Sequence, residues 1–344
     1  MSTVTLSPVP GLPEIGAGDD LAGLIAHHLD EELRAYDVVV VTSKVVSKAA
    51  GLVTVAEREG LIDEAADRVV ARKGPTRVVR TWHGLTLAAA GLDASNTKPG
   101  TVVGLPADPD AEAAALRRRL AALQPRAAGR IAVVITDTAG RAWRVGQTDM
   151  AIGVAGLRPL RSYAGTLDPY GNELRVTEPA VADEIASAAE LAAGKVAGAP
   201  VVVVRGLEHT LFTAADGPGA AALIRDESED LFGLGAHQAV SEAVRPGRER
   251  PRGFAHLEAE VADVLAIALD RDDERPLDVD VRDEPAGPVV VVTQAPDARP
   301  ADAYIAFGAL LERLRIIGRT YGLDVTHERS GDSAPLPARV TIGG

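Results

Sequence analysis

Segment 131–156, IAVVITDTAGRAWRVGQTDMAIGVAG, constrains this chain more than any other stretch. It opens on Ile131-Ala132-Val133-Val134-Ile135, an apolar run rich in the β-branched residues that suit a buried strand. The run ends on Thr136-Asp137-Thr138 and the breaker pair Ala139-Gly140. A carboxylate and a hydroxyl at the mouth of a buried strand can hold a hard cation, because Mg²⁺ prefers oxygen ligands. The donors Arg141, Trp143 and Arg144 come next, then Gln147, Thr148 and Asp149, then the small-residue segment 151–156. Metal ligands beside arginines point to a charged, phosphorylated ligand.

Other segments share part of this design. The apolar run 38–41 leads straight into Thr42-Ser43-Lys44-Val45-Val46-Ser47-Lys48. Its hydroxyls and lysines suit phosphate neutralisation, and a solvated strand-to-helix turn accounts for the same residues equally well. A small apolar stretch, 85–90, is followed by Gly91-Leu92-Asp93-Ala94-Ser95-Asn96. Taken alone, Asp93 reads as a turn or cap residue sooner than a metal ligand, and His83 as a structural hydrogen-bonder. Strand ends carrying Ser43, Lys44 and Lys48, Asp93 and Asn96, and Asp137 and Thr138 could together place Mg²⁺ and a nucleoside triphosphate in one crevice. The chain has no GxxxxGK[ST] loop and no GxGxxG fingerprint between strand and helix, so neither a P-loop nor a Rossmann site carries it.

Periodicity places helices over 21–29, 57–70, 111–123 and 178–193, and a helix-like acidic segment over 226–232. The run Arg117-Arg118-Arg119 reads as a solvated helix face. At 193–199 a glycine-bearing loop precedes the apolar strand 201–204, and such a loop can approach a base or phosphate closely. The 344 residues suggest about two domains on a prior of ~150 residues each. The Pro/Gly/Arg stretch 244–253 reads as a linker, dividing a domain over 1–243 from a small α/β unit over 254–344. That unit would contain a helix over 256–269, strands over 277–281 and 289–293, a helix over 301–321 and a last strand over 339–342.

A net charge of −13 argues against nucleic acid as the partner. With no cysteine, disulfides and thiolate chemistry are excluded. The first residues lack the basic start and apolar core of a signal peptide, and no apolar run approaches the ~20 residues of a membrane span. A soluble, cytoplasmic protein with no membrane partner is expected.

The runs TSKVVSKAAG, AAGLDASN and ITDTAGRAWRVGQTDMAIGVAGL, with VADEIA and VVVVRGL following in order, resemble the coenzyme F-420-0:L-glutamate ligase family, the γ-glutamyl ligases. The likeness spans about residues 10–235. It implies an α+β, mixed-sheet γ-glutamyl-ligase fold, found in the family as intertwined homodimers, with the small C-terminal unit added. It also implies a GTP-dependent, amide-forming ligase. GTP would phosphorylate a carboxylate of F-420-0, the amine of L-glutamate would displace phosphate from the acyl phosphate, and later turnovers would add γ-linked glutamates. Mg²⁺ or Mn²⁺ would assist, with K⁺ as an additional cation. Carried over residue by residue, GTP contacts fall on Leu12, Pro13, Glu14, Ile15, Ser43, Lys44, Lys48 and Asn96. Metal ligands fall on Asp93, Asp137 and Thr138. Arg141, Arg144 and Gln147 are assigned to substrate or phosphate. The family's late nucleotide loop falls within 193–199, where this chain has Lys195 in place of the acidic ligand of some members, so no metal ligand is carried over there. A non-catalytic nucleotide-binding protein stands as one alternative, and a flavin oxidoreductase acting through the C-terminal region as another.

Overall fold

The computed structural model describes residues 3–94, 99–127, 129–194, 198–245, 254, 261–269, 276–284, 287–329 and 336–343. The fold is α+β, and the chain divides into two compact units, Met1–Ile224 and Arg225–Gly344. The division falls upstream of the Pro/Gly/Arg stretch at 244–253.

In the first unit the order is β1 (Thr5–Pro8), α1 (Leu21–His28), β2 (Val38–Thr42), α2 (Ser43–Ala49), β3 (Val53–Thr54), α3 (Arg58–Ala65), β4 (Ala66–Lys73), β5 (Thr76–Thr81) and β6 (Thr86–Ala88). There follow β7 (Val102–Val103), α4 (Pro109–Leu123), β8 (Ala132–Arg141), β9 (Arg144–Ala155), β10 (Thr166–Leu167), β11 (Glu173–Leu174), α5 (Val181–Ala193) and β12 (Val201–Arg205). The central sheet runs β1-β12-β2-β8-β9. Only β2 and β8 lie parallel, with Val38 opposite Ala132 and Thr42 opposite Thr136; the other neighbours are antiparallel.

These central strands read as unbroken apolar runs because both faces are covered. Val39, Val41, Val133 and Ile135 pack with Leu21, Ile25, Leu116 and Leu120 from α1 and α4. The alternate residues, Val38, Val40, Ala132 and Val134, pack with Ile185, Ala186 and Ala189 of α5. The period of two in the strands thus sorts one run into two cores. At the start of β2, Asp37 is fully buried, and Arg205 of β12 grips it with Nε and Nη2 at 2.9 and 2.8 Å. Asp37 holds Arg205 charged more firmly than usual.

Three expectations from the sequence need correction. Residues 57–70 are not one helix: α3 stops at Ala65, and 66–73 form β4, which pairs with β5. The β-branched pair Val69-Val70 and the tight turn at Gly74 (φ +57°) favour that hairpin over a longer helix. Residues 226–232 are turns, because Asp226 accepts from the Ser228 backbone N–H (2.8 Å) and hydroxyl, and Asp230 from the Phe232 N–H (3.0 Å). Such side-chain bonds compete directly with helix. Nor is Arg117 solvated with its neighbours: it is buried and donates to the carbonyls of Ile131 and Gly129 and to Asp216. A buried guanidinium needs such a shell of acceptors.

The second unit contains α6 (Ala236–Val244), α7 (Val261–Leu269), β13 (Leu277–Glu284), β14 (Gly287–Gln294), α8 (Pro300–Tyr321), β15 (Asp324–Arg329) and β16 (Ala338–Gly343). Its sheet, β13-β14-β16-β15, is antiparallel throughout. Phe307, Leu310, Leu311 and Leu314 of α8 form a core with Val290, Val292, Val340 and Ile342. Of the helix expected over 256–269, residues 261–269 are helical, and the earlier part lies outside the described residues. Among the described residues no helix is long and apolar enough to cross a membrane.

Candidate functional site

The parallel register of β2 and β8 brings their carboxyl ends side by side. Ser43, the first residue of α2, therefore stands next to Asp137, and its hydroxyl donates to Asp137 Oδ1 at 3.2 Å. On the far side of β8, one extra residue in β9 reorganises the ladder. Ile135 pairs with Gly153 and Thr136 with Ala151, which leaves Ile152 as a bulge. A one-residue shift turns the following side chains to the other face, and so sets Asp149 opposite Thr138 rather than Met150. Asp149 is buried; it accepts from Thr138 at 2.7 Å and from Thr136 at 3.1 Å. Ser187 of α5 donates to its backbone carbonyl at 2.9 Å.

Asp93 arrives from a separate small sheet. It bridges to Val103 directly after a turn in which Ala89, Ala90 and Gly91 all have left-handed φ, +50°, +57° and +70°. Two non-glycine residues in that region are strained. The turn delivers Asp93 to Lys44, whose Nζ lies 2.6 Å from Asp93 Oδ2. Lys48, almost wholly buried, pairs with Glu14 at 2.5 Å.

Asp137 is the group most out of its element. Burial pushes its carboxyl up to about 7; the Ser43 hydroxyl and the Thr138 N–H oppose the shift, and the charges of Asp149 and Asp93 add to it. An ionised carboxylate held this way is short of positive charge, which is the condition a bound cation relieves. The donors on offer are carboxylate and hydroxyl oxygens, the hard set that Mg²⁺ and Mn²⁺ prefer. A hydroxyl donating to one carboxylate keeps lone pairs for a cation, so Thr138 fits a ligand role. Among the described residues no three His, Cys, Asp or Glu cluster closely enough to hold a metal by themselves. The site therefore suits an ion that takes part of its shell from phosphate and water, as Mg²⁺ does.

Two cavities flank the strand ends. The first, about 510 Å³, is bordered by Ser43, Lys44, Asp93, Asp137, Thr138 and Gln147, with Arg58 and Arg77 on the wall from α3 and β5. The second, about 750 Å³, is bordered by Leu12, Pro13, Glu14, Ile15, Lys48 and Asp149, and by α5 with Gly194 and residues 198–200. Thr42 and Lys44 border both. Each volume lies within the ~300–1,000 Å³ of small-molecule sites. Nearly all the sequence-derived site residues thus meet here. Asn96 and Lys195 lie outside the described residues. Arg141 and Arg144 do not join the others: they sit on the exposed β8–β9 hairpin, where Arg141 donates to the Val145 carbonyl (2.9 Å), and they border neither cavity. Sequence reasoning passed over Asp149, Arg58 and Arg77 as site residues. For Asp149 the signal was its place in the same hairpin as Asp137.

Carboxylates, hydroxyls and lysines converging on a parallel strand pair between two cavities are the frame of a small-molecule enzyme. The family model described as F420-0:gamma-glutamyl ligase matches residues 11–59 and 56–206, inside the first unit. The chain is 39% identical over 254 residues to the coenzyme F420:L-glutamate ligase of Methanopyrus kandleri, covering 67% of this chain and 98% of the relative. It is 37% identical over 256 residues to the enzyme of that name from Methanothermobacter thermautotrophicus, covering 67% and 98%. Against that of Archaeoglobus fulgidus it is 39% identical over 250 residues, covering 67% and 96%. The chain belongs to the F420-0:gamma-glutamyl ligase family.

Proposed function

We propose that the chain joins L-glutamate to coenzyme F-420-0 in a GTP-driven reaction assisted by Mg²⁺ or Mn²⁺, and then adds further γ-linked glutamates. Family membership supports the ligase chemistry. The observation that carries the finer reading is the meeting of Asp137, Asp93, Thr138 and Lys44 at one strand end between two cavities. One cavity has room for a nucleotide and the other for an acceptor, with the reacting groups meeting near Thr42 and Lys44.

In this scheme Lys44 and Lys48 neutralise phosphate oxygens as point charges. Asp93, Asp137 and the Thr138 hydroxyl hold the divalent ion, which when bound supplies charge neutralisation on the transferring phosphoryl group. Lys44 is placed to exchange Asp93 for phosphate when a nucleotide enters. Asp149 sits behind Thr138 and fixes its hydroxyl. The walls of the cavities hold the acceptor carboxylate in line and keep water from the acyl phosphate until the amine of glutamate attacks, a proximity effect worth several orders of magnitude. Gln147 remains a candidate acceptor contact; Arg141 and Arg144 do not border the reacting groups. A homodimer is proposed along with this reading, and sedimentation of the purified chain tests it.

The deciding assay combines the protein, GTP, Mg²⁺ or Mn²⁺, F-420-0 and L-glutamate. Release of GDP together with a product heavier by one or more glutamyl residues is expected. Neither GDP nor a mass gain would refute the ligase reading.

A further inference from the structure

The first cavity has three cations on its border: Lys44, Arg58 and Arg77. Two of them are matched by carboxylates. Lys44 pairs with Asp93, and Arg77, almost wholly buried, pairs with Asp63 at 2.5 Å and Glu59 at 2.8 Å. Arg58 is different. Its Nη2 donates to the Leu92 carbonyl at 2.9 Å, one residue before Asp93, and among the described residues it has no carboxylate partner. It opens α3, where the partial positive charge of a helix start disfavours a cation, and the acid of that first turn, Glu59, is held by Arg77. The guanidinium is exposed, anchored by one backbone carbonyl, and left with donors to offer.

Positive charge continues outward from the cavity. The turn from β4 to β5 reads Arg72-Lys73-Gly74-Pro75-Thr76-Arg77, with three cations and no acid in a chain of net charge −13. Pro75, Thr76 and Arg77 border the cavity. Arg72 lies directly opposite Arg77 across the two strands, and like charges so placed destabilise a hairpin. Arg72 and Lys73 are exposed, and among the described residues neither has a carboxylate partner. Where a sequence keeps positive charge against such local rules at the edge of a cavity, an anionic ligand is the first reason to seek.

We propose that Arg58 and the basic turn 72–77 hold the α-carboxylates of a γ-glutamyl tail while the last carboxylate of that tail reacts at the strand ends. This rests on the ligase reading above, with the acceptor in the first cavity, and adds to it the residues that let the acceptor lengthen. In a γ-linked chain each amide consumes a γ-carboxylate and leaves one α-carboxylate free, so the tail carries a negative charge on every residue. A guanidinium can pair with such a carboxylate through two parallel bonds. Arg58, anchored next to Asp93, suits the residue nearest the reacting end, and the turn suits those further out. Contacts on an exposed rim are individually weak and screened by salt, which lets the tail move outward by one residue after each addition.

The test is steady-state kinetics of the full chain and its Arg58→Gln, Arg58→Lys and Arg72→Gln variants, with GTP, Mg²⁺ and L-glutamate. Three acceptors are compared: F-420-0 and its derivatives already carrying one and two γ-linked glutamates. Both side chains are exposed, so the variants should fold, which thermal melting checks. Arg58→Gln should raise KM for the glutamylated acceptors about tenfold, with a smaller rise for F-420-0 and little change in kcat or in KM for GTP and glutamate. Arg58→Lys should recover part of the loss. Arg72→Gln should raise KM about two- to fivefold, chiefly for the acceptor with two glutamates, and added salt should narrow its gap from wild type. Unchanged KM values, equal rises for all three acceptors, or a rise confined to KM for L-glutamate would overturn the tail assignment while leaving the ligase reading intact. So would a wild-type chain that extends F-420-0 and neither derivative. A wild-type chain that glutamylates no acceptor would overturn both.

Discussion

A carboxylate stands at each end of β2, fully buried at the start and half-buried at the finish, and the two are treated in opposite ways. At its start Asp37 is fully buried and receives two bonds from Arg205 and one from the Arg34 N–H at 2.8 Å. At its finish Asp137, on the neighbouring strand, receives one hydroxyl at 3.2 Å and sits within the fields of Asp149 and Asp93, so that its carboxyl is pushed up to about 7. One end is electrostatically closed and serves the fold. The other is left short of positive charge and holds it in reserve for what binds there. Satisfied buried ions specify structure, while strongly perturbed ones in a cleft mark function.

The closed end should fail as structure. Asp37→Ala removes both bonds to Asp37 and leaves Arg205 with Glu31 at 2.7 Å and the Glu32 carbonyl; it is expected to lower unfolding stability by about 2–3 kcal/mol, read in urea titrations, while activity per folded molecule stays near the wild-type value. A loss of turnover without a loss of stability would erase the contrast. The open end should fail as chemistry. Asp137→Asn is expected to cut GDP release on the order of 10²- to 10³-fold. In metal-free protein it should keep or raise the melting temperature, because an amide has no charge to desolvate. Retained turnover would mean that the metal ligands lie elsewhere.

The parts of this contrast that could be read from the sequence are those set by short-range pattern. Residues 38–41, 131–135 and 201–204 announce themselves as buried strands because both of their faces are covered, and the parallel pair among them, 38–41 and 131–135, ends in groups that the fold does bring together. The part that escaped depends on register. Counting back from the tip, where Arg141 pairs with Arg144, an unbroken ladder would put Gln147 opposite Thr138. Irregularities in the hairpin instead bring Asp149 there, and no local propensity marks them. Arg117 escaped for a related reason: one turn of helix exposes Arg118 and Arg119 and buries Arg117 against Ile131 and Asp216, a choice made by tertiary packing. The strand at 66–73 was hidden because its spacing of apolar residues also fits a helix, and pairing with β5 across the turn at Gly74 outweighs that fit.

Smaller changes sharpen the picture of the open end. Thr138→Val removes the hydroxyl that links Asp149 to the cavity and should weaken Mn²⁺ binding, followed by electron paramagnetic resonance, about tenfold. Thr138→Ser should restore most of it. If valine binds Mn²⁺ as well as threonine does, Thr138 is no ligand.

The smallest effect tests whether strain is stored for Asp93. Ala89 adopts φ +50° in the turn that carries Asp93 to Lys44. A left-handed residue with a Cβ costs about 1–2 kcal/mol, and glycine escapes that cost but gives back roughly 0.5–1 kcal/mol through its freer unfolded chain. Ala89→Gly should therefore raise stability by about 0.5–1 kcal/mol, a shift of a few degrees at most in melting temperature. The same freedom loosens the turn, so kcat should fall severalfold while KM for GTP moves less. A variant that is more stable and fully active would show that the strained turn is incidental to Asp93. One that is more stable and slower would place the strain on the functional side of the contrast, with the carboxylates that the fold leaves unsatisfied.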